Sequence, residues 1–172
     1  MEKWDLYDWD RCKTGETHRR GEAVPAGRGH LVIHVALFNE AGQMLIQQRQ
    51  PFKEGWPNMW DITAGGSALA GDTSRTAAER EVLEELGLRL DLSAERPKLT
   101  VNFDCGFDDI YALVREVDIN ALTLQESEVQ AVRWADEKEI HRMIDEGSFI
   151  PYHKALITLL FHLRSRQGCH TR

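Results

Sequence analysis

Cysteine is scarce in this chain: only Cys12, Cys105 and Cys169 occur among 172 residues. They show no Cys-x-x-Cys spacing, and their number is odd, so they do not form a disulfide framework. Unpaired cysteines are typical of a reducing compartment. We therefore predict three free thiols.

Long apolar runs are also lacking, and no stretch approaches the roughly 20 residues that a membrane-spanning helix requires. The first ten residues, MEKWDLYDWD, have neither the basic start nor the apolar stretch of a secretory signal peptide. The expectation is a cytoplasmic protein with no membrane partner.

Positive charge is in the minority, because 21 Lys and Arg residues face 28 Asp and Glu residues, giving a formal net charge of −7. Proteins bind nucleic-acid backbones through clustered Lys and Arg, so we expect no nucleic-acid partner. A small phosphorylated molecule remains compatible with this charge if cations mediate the contact.

The order of apolar patterns predicts a layered α/β fold of the α+β type, with strands interleaved with helices. We expect an N-terminal, hairpin-like extension over 1–27 with a turn signal at Gly15, a main domain over 28–166, and a short tail over 167–172. The predicted strands are 4–8, 30–38 (central), 43–50 (paired with 30–38), 60–64, 99–105, 108–117 and 129–135, and residues 65–72 are predicted to form a loop. The predicted helices are 73–86, 135–147 and 151–165, the last with Pro151 in its first turn and one apolar stripe of Leu156, Leu159, Leu160 and Leu163.

One predicted helix is unusually acidic. In AAEREVLEELG, residues 77–87, the spacing places Glu81, Glu84 and Glu85 on one helix face, with only Arg80 nearby to offset their repulsion. A solvated acidic surface explains such a face, and so does a hard divalent cation, which prefers oxygen ligands.

The wider spacing around this helix resembles the Nudix box, G-x5-E-x7-R-E-U-x-E-E-x-G-U, where U is a bulky apolar residue. The matching positions are Gly66, Asp72, Arg80, Glu81, Val82, Glu84, Glu85, Gly87 and Leu88. Asp72 departs from the pattern, since the family has Glu there, and this affects only the loop geometry. The resemblance extends from about Trp4 to Leu163 and implies an α/β/α sandwich with a mixed sheet.

The resemblance also implies roles for these residues. Glu81, Glu84 and Glu85 match the metal-binding acids of the family, for Mg²⁺ or alternatively Mn²⁺, and Gly66 lies where a backbone carbonyl can join them. Arg80 matches the orienting arginine. The implied reaction is hydrolysis of the diphosphate linkage in a small, nucleoside-diphosphate-type compound by an attacking water.

Other site residues lie outside the box. Family members often use a further acid, for which Asp109 and Glu128 are preferred over Asp108 and Glu126. For substrate binding we select Arg49, as a phosphate contact, and Trp56 and Trp60, which together with Phe52 could stack on a base. Trp4, Tyr7 and Trp9 in the extension could cover the site or form a homodimer contact, and the sequence leaves both uses open.

Two alternative functions are considered beside the hydrolase. The segments THRRG, QQR and GWPNMWD resemble the subgroup close to isopentenyl-diphosphate isomerase, and His30 matches a histidine of that enzyme. The isomerase, however, requires a cysteine and a histidine where this chain has Gly65 and Ser67. A non-catalytic nucleotide sensor is the other alternative, and the intact box acids favour catalysis over it.

Overall fold

The computed structural model describes residues 2–166, 168 and 170. Cys12 and Cys105 are free, as predicted, whereas Cys169 and most of the predicted tail lie outside the described residues. None of the described helices is long and apolar enough to cross a membrane.

In the described part of the chain, six strands precede the first α-helix, three strands follow it, and two α-helices come last. Its strands are β1 (Lys3–Tyr7), β2 (Lys13–Arg19), β3 (His30–Phe38), β4 (Met44–Arg49), β5 (Trp60–Asp61), β6 (Ala64–Ser67), β7 (Leu99–Phe103), β8 (Gly106–Val114) and β9 (Val129–Ala135). Its helices are α1 (Ser74–Leu86), α2 (Glu137–Asp145) and α3 (Lys154–Leu163).

β3 lies at the centre of a mixed sheet, as its apolar pattern predicts. It pairs in parallel with β8 along its whole length and antiparallel with β6, while β4 pairs with β9 and β5. β3 and β4 are not the extended pair that we predicted, since they meet only at Phe38 and Met44. β6 pairs with the rest of that edge of β3, and the Thr63 hydroxyl bridges β3 and β4 by accepting a hydrogen bond from the Leu37 N–H and donating one to the Leu45 carbonyl.

Helices cover both faces of this sheet, which confirms the predicted α/β/α sandwich. On one face, Ile33 and Val35 of β3 pack with Val82 of α1. On the other face, residues such as Ala36 and Phe38 pack with α2 and α3. The alternation along β3 therefore gives each helical layer its own apolar surface.

Three local predictions are corrected by the structure. Residues 65–67 are not part of a loop: β6 comprises 64–67, because this segment pairs with β3. Pro151 precedes α3 instead of lying in its first turn, since the helix begins at Lys154. The predicted leucine stripe of α3 is also only partly buried, because Leu159 is 39% exposed and the buried face is formed by Ile157, Leu160, Phe161 and Leu163.

The N-terminal residues form the predicted hairpin, but its turn is not at Gly15. β1 and β2 pair antiparallel, and the chain reverses over residues 8–12, where Arg11 has a φ of 61°. Gly15 instead lies inside β2 with a φ of 83°, where the pairing register shifts. A left-handed glycine inside a strand is typical of a β-bulge, which the sequence alone does not distinguish from a turn.

Candidate active site

α1 is built from local signals that place its acidic face. Thr73 caps the helix start by accepting a hydrogen bond from the Thr76 N–H, and Gly87 ends the helix in the left-handed conformation with a φ of 66°. Ala78 and Val82 are fully buried against the sheet. With this face fixed, the glutamates of the Nudix-like segment project toward β6 and β4.

Glu81 lies directly against the backbone of β6. A Cβ atom added at Gly66 would meet the Glu81 carboxylate, so only glycine allows this close approach. The Arg80 Nη1 atom donates a hydrogen bond to Glu81 at 2.9 Å. Burial raises the pKa of Glu81 above its ordinary value, and the charge of Arg80 opposes that shift.

Glu85 is the most buried of the three acids, at 4% exposed. The Gln47 side-chain amide of β4 donates to it at 2.9 Å. Burial, reinforced by repulsion from Glu81, raises the pKa of Glu85 to about 8. A cation bound beside Glu85 would offset both effects, because a nearby positive charge stabilises the ionised carboxylate.

Arg80 ties the helix to the preceding loop. It donates to Glu81 and Glu84 from Nη1, at 2.9 and 3.0 Å, and to the Ser67 carbonyl from Nη2 at 3.1 Å. It also contacts Asp72, the residue that departs from the Nudix pattern, at 3.1 Å. The shorter side chain at position 72 therefore still reaches the arginine.

A cavity of about 130 Å³ opens beside these residues. Its lining combines five carboxylates with four basic side chains and some polar backbone: Glu2, Glu81, Glu84, Glu85, Glu128, Arg20, Arg49, Lys53, Arg80, Gly65, Gly66, Ser67 and Gln125. No aromatic side chain is among the lining residues within the described part of the chain. Such a cavity suits a ligand that carries several negative charges together with a cation.

The matching family model settles the identity of this fold. The NUDIX domain model matches residues 28–155. The chain belongs to the Nudix hydrolase family. It is accordingly a hydrolase of phosphorus anhydrides.

Relatives of this Nudix hydrolase include bacterial proteins that match all or part of its chain. An uncharacterized Nudix hydrolase of Listeria monocytogenes is 49% identical over 170 residues, which cover 99% of each chain. An isopentenyl-diphosphate Delta-isomerase of Streptomyces coelicolor is 35% identical over 98 residues, which cover 57% of this chain and 50% of that protein.

Solved structures share the fold at lower identity. DR0079 from Deinococcus radiodurans has a TM-score of 0.72 and 24% identity, covering 94% of this chain and 98% of that chain. A bifunctional NMN adenylyltransferase/ADP ribose pyrophosphatase from Francisella tularensis, complexed with AMP and a Mn ion, has a TM-score of 0.62 and 16% identity. That match covers 83% of this chain and 43% of that chain.

The residues selected outside the box divide into two groups. Arg49 and Glu128 line the cavity of the Nudix hydrolase, with the Arg49 Nε atom donating to the Gly55 carbonyl at 3.0 Å. Trp56 and Trp60 do not line it: Trp56 is 49% exposed with a φ of 51°, and Trp60 packs on the α2–α3 side of the sheet, beneath the Arg133 guanidinium.

Asp109 is not brought to the cavity either. Its buried carboxylate accepts hydrogen bonds from the Arg11 guanidinium at 2.9 and 3.0 Å and from the Thr100 hydroxyl at 2.6 Å. The neighbouring Asp108 contacts the His34 imidazole at 2.8 Å. Of the acids considered outside the box, only Glu128 shares a cavity with the α1 glutamates.

Sequence reasoning missed three charged residues of this cavity: Glu2, Arg20 and Lys53. They lie just before β1, just after β2 and in the loop after β4, so no spacing in the sequence connects them with α1. Arg20 lies in the segment THRRG, and the resemblance of that segment to the isomerase-like subgroup is the sequence feature that could have pointed to it.

The donor set of the cavity fits a hard divalent cation, although the side chains are not gathered around one point. Within residues 2–166, 168 and 170, no three His, Cys, Asp or Glu side chains form a group that could hold a metal ion. Glu84 is 49% exposed and paired with Arg80. Glu81, which lies against the β6 backbone, and the buried Glu85 nevertheless offer carboxylate oxygens to the same cavity, and oxygen ligands are those that Mg²⁺ and Mn²⁺ prefer.

Proposed function

We propose that this Nudix hydrolase cleaves the diphosphate linkage of a small nucleoside-diphosphate-type compound, with Mg²⁺ or Mn²⁺ as cofactor. The observation that carries the proposal is the single cavity in which the α1 carboxylates share a lining with Arg49 and Lys53. The bifunctional protein from Francisella tularensis, which shares this fold over 43% of its chain, was solved in complex with AMP and a Mn ion, and this is compatible with the proposal.

The proposed metal ligands are Glu81, Glu84 and Glu85, together with the Gly66 carbonyl. When bound, the cation would neutralise the diphosphate and lower the pKa of the attacking water. Arg80 holds Glu81 and Glu84 by charge-assisted hydrogen bonds and so orients both carboxylates.

The remaining lining residues supply binding and proton transfer. Arg49 and Lys53 would bind non-bridging phosphate oxygens. The Glu128 carboxylate lies 2.5 Å from the Lys53 ammonium. Glu128 would accept a proton from the attacking water while the water oxygen bonds to phosphorus and the bridging P–O bond breaks. Trp56, exposed in the same loop as Lys53, is available to a nucleoside that extends beyond the cavity.

The isomerase alternative meets a steric obstacle beyond the absent cysteine. A Cβ atom at position 65 would meet the His34 ring, so a side chain there would require the histidine to move. Gly65 also provides no acid or base for proton transfer to carbon. The partial identity to the Streptomyces isomerase therefore reflects the shared scaffold.

The first test is product release from a panel of diphosphate compounds with and without Mg²⁺. The panel contains nucleoside di- and triphosphates, nucleotide sugars, dinucleoside polyphosphates and isopentenyl diphosphate. We expect metal-dependent cleavage that falls by at least about a hundredfold in Glu85→Gln, because that change removes a ligand charge.

The control for this test is Glu126→Gln, which neutralises an exposed acid outside the cavity and should leave the rate unchanged. Binding without cleavage across the whole panel would favour the sensor alternative. Conversion of isopentenyl diphosphate to its isomer would instead overturn the argument from Gly65.

A further inference from the structure

The open end of the N-terminal hairpin, opposite its turn, reaches the cavity. Arg20, directly after β2, and Glu2, directly before β1, both line the cavity beside the α1 glutamates. The two residues are joined by a backbone hydrogen bond from Arg20 N–H to the Glu2 carbonyl at 3.1 Å and by an ion pair at 2.7 Å. A charged segment outside the 28–155 family match therefore contributes to the site.

Several contacts attach the hairpin to the loop that connects β6 with α1. The Ala70 N–H donates to the Lys3 carbonyl at 2.8 Å, and the Gly71 N–H donates to the Asp5 carboxylate at 2.9 Å. The Lys13 ammonium donates to the Asp72 carbonyl at 2.8 Å. Since this loop follows β6, which contains Gly66, and leads into α1, Arg20 is held at a defined position relative to the Nudix box.

Aromatic packing adds a second attachment. The Trp4 indole stacks on the His30 imidazole at the start of β3, with ring centroids 4.2 Å apart and an angle of 11° between the planes. The Tyr7 and Gly29 backbones exchange hydrogen bonds of 2.8 and 2.9 Å. The hairpin is thus bound along its length and forms a fixed wall of the cavity.

The electrostatic surroundings of Arg20 are those of the active site. The ion pair with Glu2 raises the pKa of Arg20, burial opposes this shift, and the charges of Glu128 and Glu81 add to it. Both partners remain about half exposed, at 58% and 49% for the side chains of Arg20 and Glu2. An anion entering the cavity can therefore replace the Glu2 carboxylate on the guanidinium without uncovering a buried charge.

We propose that Arg20 binds a phosphate group of the substrate, so that the hairpin is part of the active site and Glu2 occupies the guanidinium until substrate enters. Arg20 after β2, and Arg49 and Lys53 at and just after the end of β4, give the cavity three positive charges besides Arg80. A planar guanidinium binds two phosphate oxygens at once, which gives orientation as well as affinity. The inference rests on the proposed function, because it assigns a contact to the same substrate.

The test uses the full chain and imidodiphosphate, a diphosphate with a non-hydrolysable bridge, in the presence of Mg²⁺. Calorimetry would compare wild type with Arg20→Gln and with Arg19→Gln, which removes the neighbouring charge outside the cavity lining. We expect Arg20→Gln to weaken binding by about tenfold or more, since a hydrogen bond to a charged group is lost, and Arg19→Gln to leave it unchanged. Thermal unfolding of each variant would check that the fold is intact.

Glu2→Gln separates a binding role of Arg20 from a structural one. If Glu2 competes with the substrate, its neutralisation should tighten imidodiphosphate binding by up to about fivefold, as for the loss of an exposed ion pair. If the pair serves only to close the hairpin, Glu2→Gln should weaken binding as Arg20→Gln does. That second result, or equal affinity of Arg20→Gln and wild type, would overturn the proposal.

Failure of the proposed function gives a different pattern. Wild type that binds imidodiphosphate with Mg²⁺ but cleaves no compound of the panel would refute hydrolysis, while the ratio of the Arg20→Gln and wild-type affinities would still decide the role of Arg20. Wild type that binds no imidodiphosphate would refute both. Where a substrate is found, Arg20→Gln should raise KM more than it lowers kcat.

Discussion

The absence of one side chain sets the distance between β6 and α1. Because a Cβ atom at Gly66 would meet the Glu81 carboxylate, the acid can approach the strand only when position 66 is glycine. The clash falls on the end of a side chain and not on backbone. A substitution here should therefore displace the carboxylate while the fold persists.

Gly66→Ala should consequently reduce the rate of metal-dependent hydrolysis by at least about tenfold, because small displacements of reacting groups are costly. The free energy of unfolding should change by no more than about 1 kcal/mol. Steady-state kinetics and urea unfolding would measure the two effects. Gly55→Ala is the control, since nothing lies within 4 Å of a Cβ atom there; equal rates of the two variants would contradict the role given to Gly66.

At the scale of elements, the β1–β2 hairpin is attached to the sheet through a buried acid. Asp109 of β8 is 2% exposed and binds the guanidinium of Arg11, which lies in the hairpin turn. That guanidinium also lies over the Phe107 ring, 5.1 Å from its centroid. The acid that the sequence offered as a catalytic candidate thus connects two elements.

Asp109→Asn should destabilise the protein by about 1–3 kcal/mol, since it leaves Arg11 without its charged partner while Arg11 keeps partial access to water. The kcat of the folded variant should stay within about twofold of wild type. Urea unfolding and kinetics would test this, with Glu16→Gln, which breaks an exposed pair with Arg28, as a control expected within about 0.5 kcal/mol. A large loss of kcat with an unchanged free energy of unfolding would instead indicate that Asp109 is a catalytic acid.

At the scale of the whole molecule, folding buries a histidine that has no polar partner at Nδ1 among the described residues. Burial lowers the pKa of His30 to about 4, and the charge of His18 adds to the shift. The unfolded chain takes up this proton near pH 6.5, whereas the folded chain takes it up only near pH 4. Between these values the unfolded state binds more protons, so stability falls as the pH falls.

The full free energy of unfolding should be present above about pH 6.5, and proton uptake by the unfolded chain at His30 should lower it by about 3 kcal/mol once the pH has fallen to about 4. Urea unfolding from pH 7 to pH 4.5 would measure the slope in wild type and in His30→Gln, which cannot titrate. Because the substitution also removes the stacking on Trp4, the comparison uses the slope of the free energy of unfolding against pH, and not its absolute value. Equal slopes would show that His30 does not govern this pH dependence.

The sequence was sufficient for features that depend on neighbours along the chain. The boundaries of α1 follow from a capping threonine and a terminal glycine, and its two faces follow from the helical repeat. The Nudix box is equally local, since the three acids that match its pattern, Glu81, Glu84 and Glu85, lie within five residues of one helix. The central position of β3 follows from an apolar pattern on both of its faces.

Only the tertiary structure decided which distant residues meet. Asp109 and Glu128 are both acids outside the box, but strand register turns the first toward Arg11 and brings the second to the cavity. β3 meets β4 only at Phe38, because β6 pairs with the rest of that edge, and the Thr63 hydroxyl bridges the Leu37 N–H and the Leu45 carbonyl. Arg20 lies 60 residues before Arg80 and reaches the same cavity, because strand pairing and loop contacts between distant segments, and not local spacing, set its position.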